Sequence, residues 1–359
     1  MTSSWPLPAV IGLDELAPLQ RTLSDGAGQS TGIHPIGDHP GWLAKLYRTP
    51  GGHGEATRLD ELIALPATIG ADDAATLSTS TSWPVARITD GDELVHGCVI
   101  PAAPDRFRQG SDGEFREIDT LARTADSFAR HGLRAPSRAD RLRVCRNLVR
   151  VAEVLERHGL VYSDWSYSNA FWCHDDASVF VIDIDGCGTG SVPNIAQPNW
   201  DDPLTPRPDE ADSRTDRFRV ALLVTRCLTG QRDLTVALND LAESDGLGNR
   251  GLREVLLDML LSEDRERRPS LAELGTVLAG GLYARFGSPP ARNQIPERPA
   301  PPPPVTVVSA TPGTNVDWKT TATTPSASNG GPQRETVFLG IFFGVVVLLL
   351  LIVIVANNA

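Results

Sequence analysis

From residue 14 to about residue 100, apolar positions come in the short runs that strands need. "GWLAKLYR" (41–48), "WPVARITD" (83–90) and "ELVHGCVIP" (93–101) are broken by Gly, Pro and Asp. One stretch of helical spacing, from about Glu55 to Ala64, interrupts them. From about 115 to 286 the period becomes mainly that of helices. In "SRADRLRVCRNLVRVAEVLERHG", Ser137 is the N-cap, Leu142, Cys145, Leu148, Ala152 and Leu155 mark one face, and Gly159 closes the helix. Further helices are predicted from about Ser213 to Leu228, with Gly230 behind, then over 251–261 and 270–285. After the long helix come a loop-like stretch, "VYSDWSYSNAFW", and the strand-like "VFVIDIDG". The pattern predicts an α+β chain of two lobes, β-rich then helical, with a cleft between. No internal repeat is present.

Past residue 286 the pattern changes twice. Residues 287–336 are rich in Pro, then in Thr, Ser and Gly, and lack the apolar content to fold, so they are expected to act as a spacer. "VFLGIFFGVVVLLLLIVIV", 337–355, is uncharged over 19 residues. As a helix it would reach about 28 Å, close to the roughly 30 Å hydrocarbon core. It is expected to be a single-pass tail anchor in the cell membrane, with only 356–359 beyond it. Lys319 and Arg334 lie on its N-terminal side, which places the main body in the cytoplasm. Gly340-x-x-x-Gly344 would let two such helices approach as a homodimer. The opening residues, 1–14, carry neither the basic region nor the apolar core of a signal peptide.

Composition narrows the partners. A formal net charge of −12 on 359 residues argues against nucleic acid, because phosphate binding needs a basic surface. Five scattered cysteines with no C-x-x-C pair suggest neither a zinc site nor a disulfide framework.

Candidate chemistry sits in the loop. Phosphoryl transfer needs a carboxylate to orient the attacking hydroxyl and oxygen ligands for Mg²⁺ beside the triphosphate. Asp164 suits the first task, Asn169 and Asp183 the second. Upstream, Gly26-x-Gly28 would let backbone N–H groups approach phosphates, and Ile33 would roof the adenine, although the expected third glycine is Thr31. Lys45 lies inside the apolar run "LAKLY", where it either snorkels to solvent or pairs with phosphates. Glu61 has the better spacing to hold it, while Glu55 shares a face with Leu59, Leu62 and Ile63.

Taken in order, these residues over about 15–285 resemble a eukaryotic-type protein kinase domain of the divergent kind found in bacteria. "TDRFRVALLVTRCLTG" is similar to the helix after the activation segment, with Asp216 placed to anchor the catalytic-loop backbone, and Arg268-Pro269-Ser270 is similar to the closing element. Trp83-Pro84 and "GCVIP" resemble the fourth strand and hinge, which implies Val99 beside the nucleotide. The resemblance implies a kinase-like domain over 15–286, an N-lobe over 15–101 and a C-lobe over 102–286. It also implies ATP with Mg²⁺ or Mn²⁺ as cofactors and Ser/Thr of proteins as substrate. The departures are specific. Tyr162-Ser163 replace the His-Arg before the catalytic Asp, so activity is not expected to need a phosphorylated activation segment. Ser166 stands where a lysine is usual, and "NWDDPL" means that the ion pair to Arg268 comes from Asp201 or Asp202 or is missing. An active kinase is the first expectation and a nucleotide-responsive pseudokinase scaffold the alternative. A small-molecule phosphotransferase is disfavoured by the Arg-Pro-Ser ending.

Overall fold

The computed structural model describes residues 5–16, 19–20, 22–23, 30–90, 94–109, 113–130, 134–195, 197–243, 250–283 and 295–297. The chain divides into two units, Met1–Pro301 and Pro302–Ala359, and all described residues belong to the first. The expected membrane run 337–355, Gly340, Gly344 and the tail 356–359 lie outside the described residues. Among those described, no helix is long and apolar enough to cross a membrane.

The N-lobe is a five-stranded sheet with two helices. Its elements are β1 (Val10–Gly12), β2 (Ser30–Pro35), β3 (Trp42–Gly51), α1 (His53–Ala64), α2 (Ala71–Ser80), β4 (Ala86–Thr89) and β5 (Val95–Pro101). The strand order is β1-β4-β5-β3-β2, antiparallel except that β1 runs parallel to β4. The stretch ahead of residue 15 is therefore built into the sheet. Successive residues of a strand face opposite sides. Ala44, Ala86, Ile88 and Val99 form one apolar layer, closed over by Ile11, Leu16, Ile36 and Trp42. The other face carries Val95, Cys98 and Ile100 against α1 and the C-lobe core, and Lys45 lies opposite Cys98 in register. Gly97 is required at its position: a Cβ there would sit almost on the Lys45 carbonyl oxygen.

The C-lobe begins with a short hairpin, β6 (Arg108–Gln109) and β7 (Glu114–Phe115), a buried 3₁₀ turn over Ile118–Ala122, and α3 (Ala125–Arg130). Next comes α4 (Arg138–Arg157), opened by a capping box between Ser137 and Asp140 and closed at Gly159 with φ +70. The loop region holds β8 (Leu160–Val161), β9 (Ala170–Trp172), β10 (Val179–Val181), β11 (Gly188–Thr189), β12 (Ser191–Pro193) and β13 (Glu210–Asp212). Four helices complete the lobe: α5 (Ser213–Thr229), α6 (Leu234–Glu243), α7 (Arg250–Leu261) and α8 (Leu271–Leu278). Gly230 caps α5 in the left-handed region. Helix α8 is shorter than predicted because the backbone turns left-handed at Gly280, φ +95. A continuous core of Leu148, Val151, Val220, Leu223, Val255, Leu256 and Leu274 joins α4, α5, α7 and α8. Part of the expected spacer touches this lobe, since Asn239 donates to the Pro296 carbonyl at 2.9 Å and Ile295 packs on the core.

The closing ion pair is formed by Asp202. Arg268 grips it in a fork, at 2.7 and 2.9 Å, with both side chains fully buried. Arg265 adds a contact at 3.3 Å. Burial works against the Asp202 charge, but Arg268 more than offsets it and holds the carboxyl below its usual range. Asp201 is exposed and lies 3.6 Å from Arg219 instead.

Two consequences are measurable by urea denaturation. Gly97→Ala must push β3 away from β5 and is expected to cost about 1–3 kcal/mol, the usual penalty of overpacking. Arg268→Leu strands a buried carboxylate and should cost about 3–5 kcal/mol, whereas Arg268→Leu with Asp202→Leu should recover most of the loss.

Candidate active site

The loop between β8 and β9 is held from below by α5. Buried Asp216 accepts the N–H groups of Tyr162 at 2.7 Å and Ser163 at 2.9 Å. Burial raises its carboxyl to about 6, even though those two N–H groups and Arg219 favour the charged form. Ser163 is fixed at φ +66, an unusual conformation for a residue with a side chain. Three residues after Asp216, Arg219 donates to the Ser163 carbonyl, to Asn194 Oδ1 at 2.8 Å, and to the carbonyls of Ile195 and Trp200, each at 3.2 Å. One arginine of α5 thus ties the loop to the segment 194–200. Tyr162 packs beneath the loop. It is buried, donates to the Ile182 carbonyl at 2.7 Å and meets Trp165 edge to face.

Held in this way, the loop presents Asp164 and Asn169. Asn169 Nδ2 donates to the Asp164 carbonyl at 2.9 Å, which leaves its Oδ1 as an acceptor. The Asn169 carbonyl accepts from Ile182 N–H at 3.0 Å, so the β9–β10 pair sets Asn169 one residue from Asp183 across the hairpin. Asp183 sits at φ +60 and opens a 3₁₀ turn, Ile184–Gly186. Burial pushes the Asp164 carboxyl up to about 6, the Asn169 contact opposes that, and the charge of Asp183 adds to it. The Gln197 side-chain amide donates to Asp164 Oδ1. Ser166 is buried and lies 3.3 Å from Ser168 Oγ.

Lys45 reaches the same place from β3. Its ammonium is 3.2 Å from Asp183 Oδ1 and 2.7 Å from Asp185 Oδ1, and the residue is only 8% exposed. Burial disfavours the charge, but Asp185 and Asp183 outweigh it and hold the pKa above the ordinary value. The structure therefore unites Lys45, Asp164, Asn169 and Asp183 in one constellation.

Glu61 and Val99 do not join this constellation. Glu61 is exposed on α1 and forms no ion pair with Lys45. Ala56, Leu59 and Leu62 mark the buried face of that helix, and Glu61 falls outside it. Glu55 turns inward but pairs with Arg58, Nε to Oε2 at 3.1 Å. Val99 lies on the face of the sheet away from Lys45, and its carbonyl is taken by Val85 N–H, so it does not line the cleft. Ile33 stands opposite Lys45 in the β2–β3 register, half-buried on the Lys45 side. Leu23 N–H donates to the Ile33 carbonyl and Gln20 N–H to that of Pro35, which pairs the chain on either side of 24–29. Gly26 and Gly28 themselves lie outside the described residues.

Asp185, Tyr47, Arg58, Arg219 and Gln197 were missed as partners in this site. A charged residue inside an apolar helical run is a usable signal for Arg219, in "RFRVALLV". A second usable signal is that Lys45 and Lys319 are the only lysines in the chain.

No family model matches the chain, and no curated protein matches it. Solved structures do. The ROP18 kinase domain in complex with AMP-PNP and sucrose is 13% identical, over 72% of this chain and 80% of that one, with a TM-score of 0.47. ROP2 from Toxoplasma gondii, described as a virulence factor with a protein-kinase fold and no enzymatic activity, is 14% identical over 72% and 77%, also at 0.47. The chain's own architecture is a five-stranded lobe followed by a helical lobe, with a loop anchored by Asp216.

Proposed function

We propose that the chain is a protein kinase that transfers the γ-phosphoryl group of ATP to Ser or Thr hydroxyls of protein substrates. The observation that carries the reading is the convergence of Lys45, Asp164, Asn169 and Asp183 from three separate stretches of chain. Asp164 orients the attacking hydroxyl and takes its proton, a role that needs an ionised carboxylate within reach. Lys45 places its charge on the phosphates. Asp183 and the Asn169 Oδ1 are hard oxygen donors that suit Mg²⁺ or Mn²⁺. Among the described residues no three His, Cys, Asp or Glu side chains gather as a ready-made cage. That fits an ion bound by one or two protein oxygens and completed by a triphosphate and water. When bound, the ion neutralises charge developing on the transferred group.

Arg219 supports a kinase that works without phosphorylation of its activation segment. It holds the carbonyls of Ile195 and Trp200 with no phosphate group involved. The run 337–355 supports attachment to the cell membrane as a tail anchor with the kinase-like body in the cytoplasm, spaced by the Pro-rich linker and open to pairing through Gly340 and Gly344. Protein substrates, rather than nucleic acid, fit the acidic charge.

One observation favours a pseudokinase scaffold instead. The Gln197 amide occupies Asp164 where a substrate hydroxyl would approach, and Ser166 supplies no positive charge.

Incubating the full chain with labelled ATP and Mg²⁺ separates the two. Label transfer that Asp164→Asn abolishes, with ATP still raising the melting temperature of both proteins, is the result expected. A wild-type protein that ATP stabilises but that transfers nothing is a scaffold, and one that ATP does not stabilise is neither. Because Asp164 must be ionised to accept a proton and its carboxyl is raised to about 6, kcat/KM should fall as pH drops through about 6 and level off above it. A profile flat from pH 5 to 8 would remove Asp164 as the base.

A further inference from the structure

We propose that Asp185 is the positioning residue for Lys45, in place of any carboxylate of α1, and that α1 is linked to the 183–187 segment by Arg58. The proposal rests on the reading of Lys45 as the phosphate clamp and names the group that aims it.

A buried ammonium needs a buried counter-charge. Asp185 supplies it at 2.7 Å and is itself fully buried, with its other oxygen accepting from Tyr47 Oη at 2.9 Å. Lys45 and Tyr47 are two apart on β3, so they share a face and close on the two oxygens of one carboxylate. Asp183, two residues earlier across the 3₁₀ turn, is the more exposed of the pair and stands further away at 3.2 Å. The inner carboxylate holds the lysine, and the outer one can release it to a phosphate.

Helix α1 makes the opposite kind of contact. Arg58 donates to the carbonyls of Asp185 and, at 2.7 Å, Cys187, while Glu55 fixes its guanidinium. The helix offers a cation and the segment offers acceptors, the reverse of a glutamate reaching for lysine. The choice of lysine points the same way. In a chain with 33 Lys and Arg, only Lys45 and Lys319 are lysines. A compact ammonium with three rotatable donors can bridge Asp183 and Asp185, whereas a planar guanidinium presents its donors in a fixed fork.

Lysine scarcity also supplies the test. The full chain is treated with an N-hydroxysuccinimide ester, and acylation of Lys45 is read by peptide mass spectrometry against Lys319. Asp185→Asn should raise the Lys45/Lys319 ratio at least ~tenfold, as loss of a buried partner frees the amine, and Glu61→Gln should leave it within ~twofold. Asp185→Ser replaces the Asn variant if circular dichroism shows that variant unfolded. A rise with Glu61→Gln, or none with folded Asp185→Asn or Asp185→Ser, overturns the proposal. A fluorescent ATP analogue gives the second readout. Lys45→Met and Asp185→Asn should each weaken its binding, and the double variant should bind no more weakly than Lys45→Met alone, because one residue acts through the other. Losses that add would make Asp185 merely structural and overturn its positioning role. Failure of the wild-type chain to bind the analogue would sink the proposed function instead, while acylation would still decide what holds Lys45.

Discussion

Two backbone N–H groups on one buried carboxylate fix the centre of this molecule. Asp216 takes the N–H groups of Tyr162 and Ser163, and the left-handed Ser163 that follows turns Asp164 toward the cleft. A carboxylate buried in the first turn of a packed helix is costly unless its oxygens are satisfied. Here they are satisfied by the loop that the residue exists to hold. Arg219 lies on the same helix three positions on, and its donors take up the carbonyl of Ser163 and those of the following segment. One helix therefore fixes both the loop and the segment that follows it, with opposite charges acting on opposite ends of peptide groups.

The upper half of the site obeys a different constraint. Lys45 arrives on a strand buried on both faces, so its charge must be matched within the protein whether or not a ligand is bound. The match comes from the segment after β10, more than a hundred positions away in sequence. The two lobes are consequently joined at the site by ion pairs and hydrogen bonds from Lys45, Tyr47 and Arg58 to a single short turn.

Much of this was legible in the chain because the signals are local. The Ser137 cap, the Gly230 stop, the strands around Lys45 and Cys98, and the loop from Asp164 to Asn169 each declare themselves within a few residues. The order of motifs picks out Asp216, whereas the choice of Asp202 over Asp201 as the partner of Arg268 depends on packing. What stayed hidden falls into two kinds. Helix α2, "ADDAATLSTS", buries only Thr76 and Leu77, so it carries almost no apolar stripe to reveal it. The partner of Lys45 is a tertiary fact. Spacing along α1 favoured Glu61, but the packing of Ala56, Leu59 and Leu62 turned that residue to solvent and brought Arg58 inward.

The parallel pairing of β1 with β4 bears on how the chain assembles. Val10 sits beside Arg87, and most of the small lobe lies between them. Closing a long loop costs entropy before any contact rewards it, so pairings of high sequence separation form late and slowly. The first strand in sequence must therefore wait for β4 and β5 to exist before it can dock on their edge. The layer over Ala44, Ala86 and Val99, which draws on Ile11 and Leu16, stays open until then. Strand β1 is thus expected to be among the last parts of the lobe to find its place.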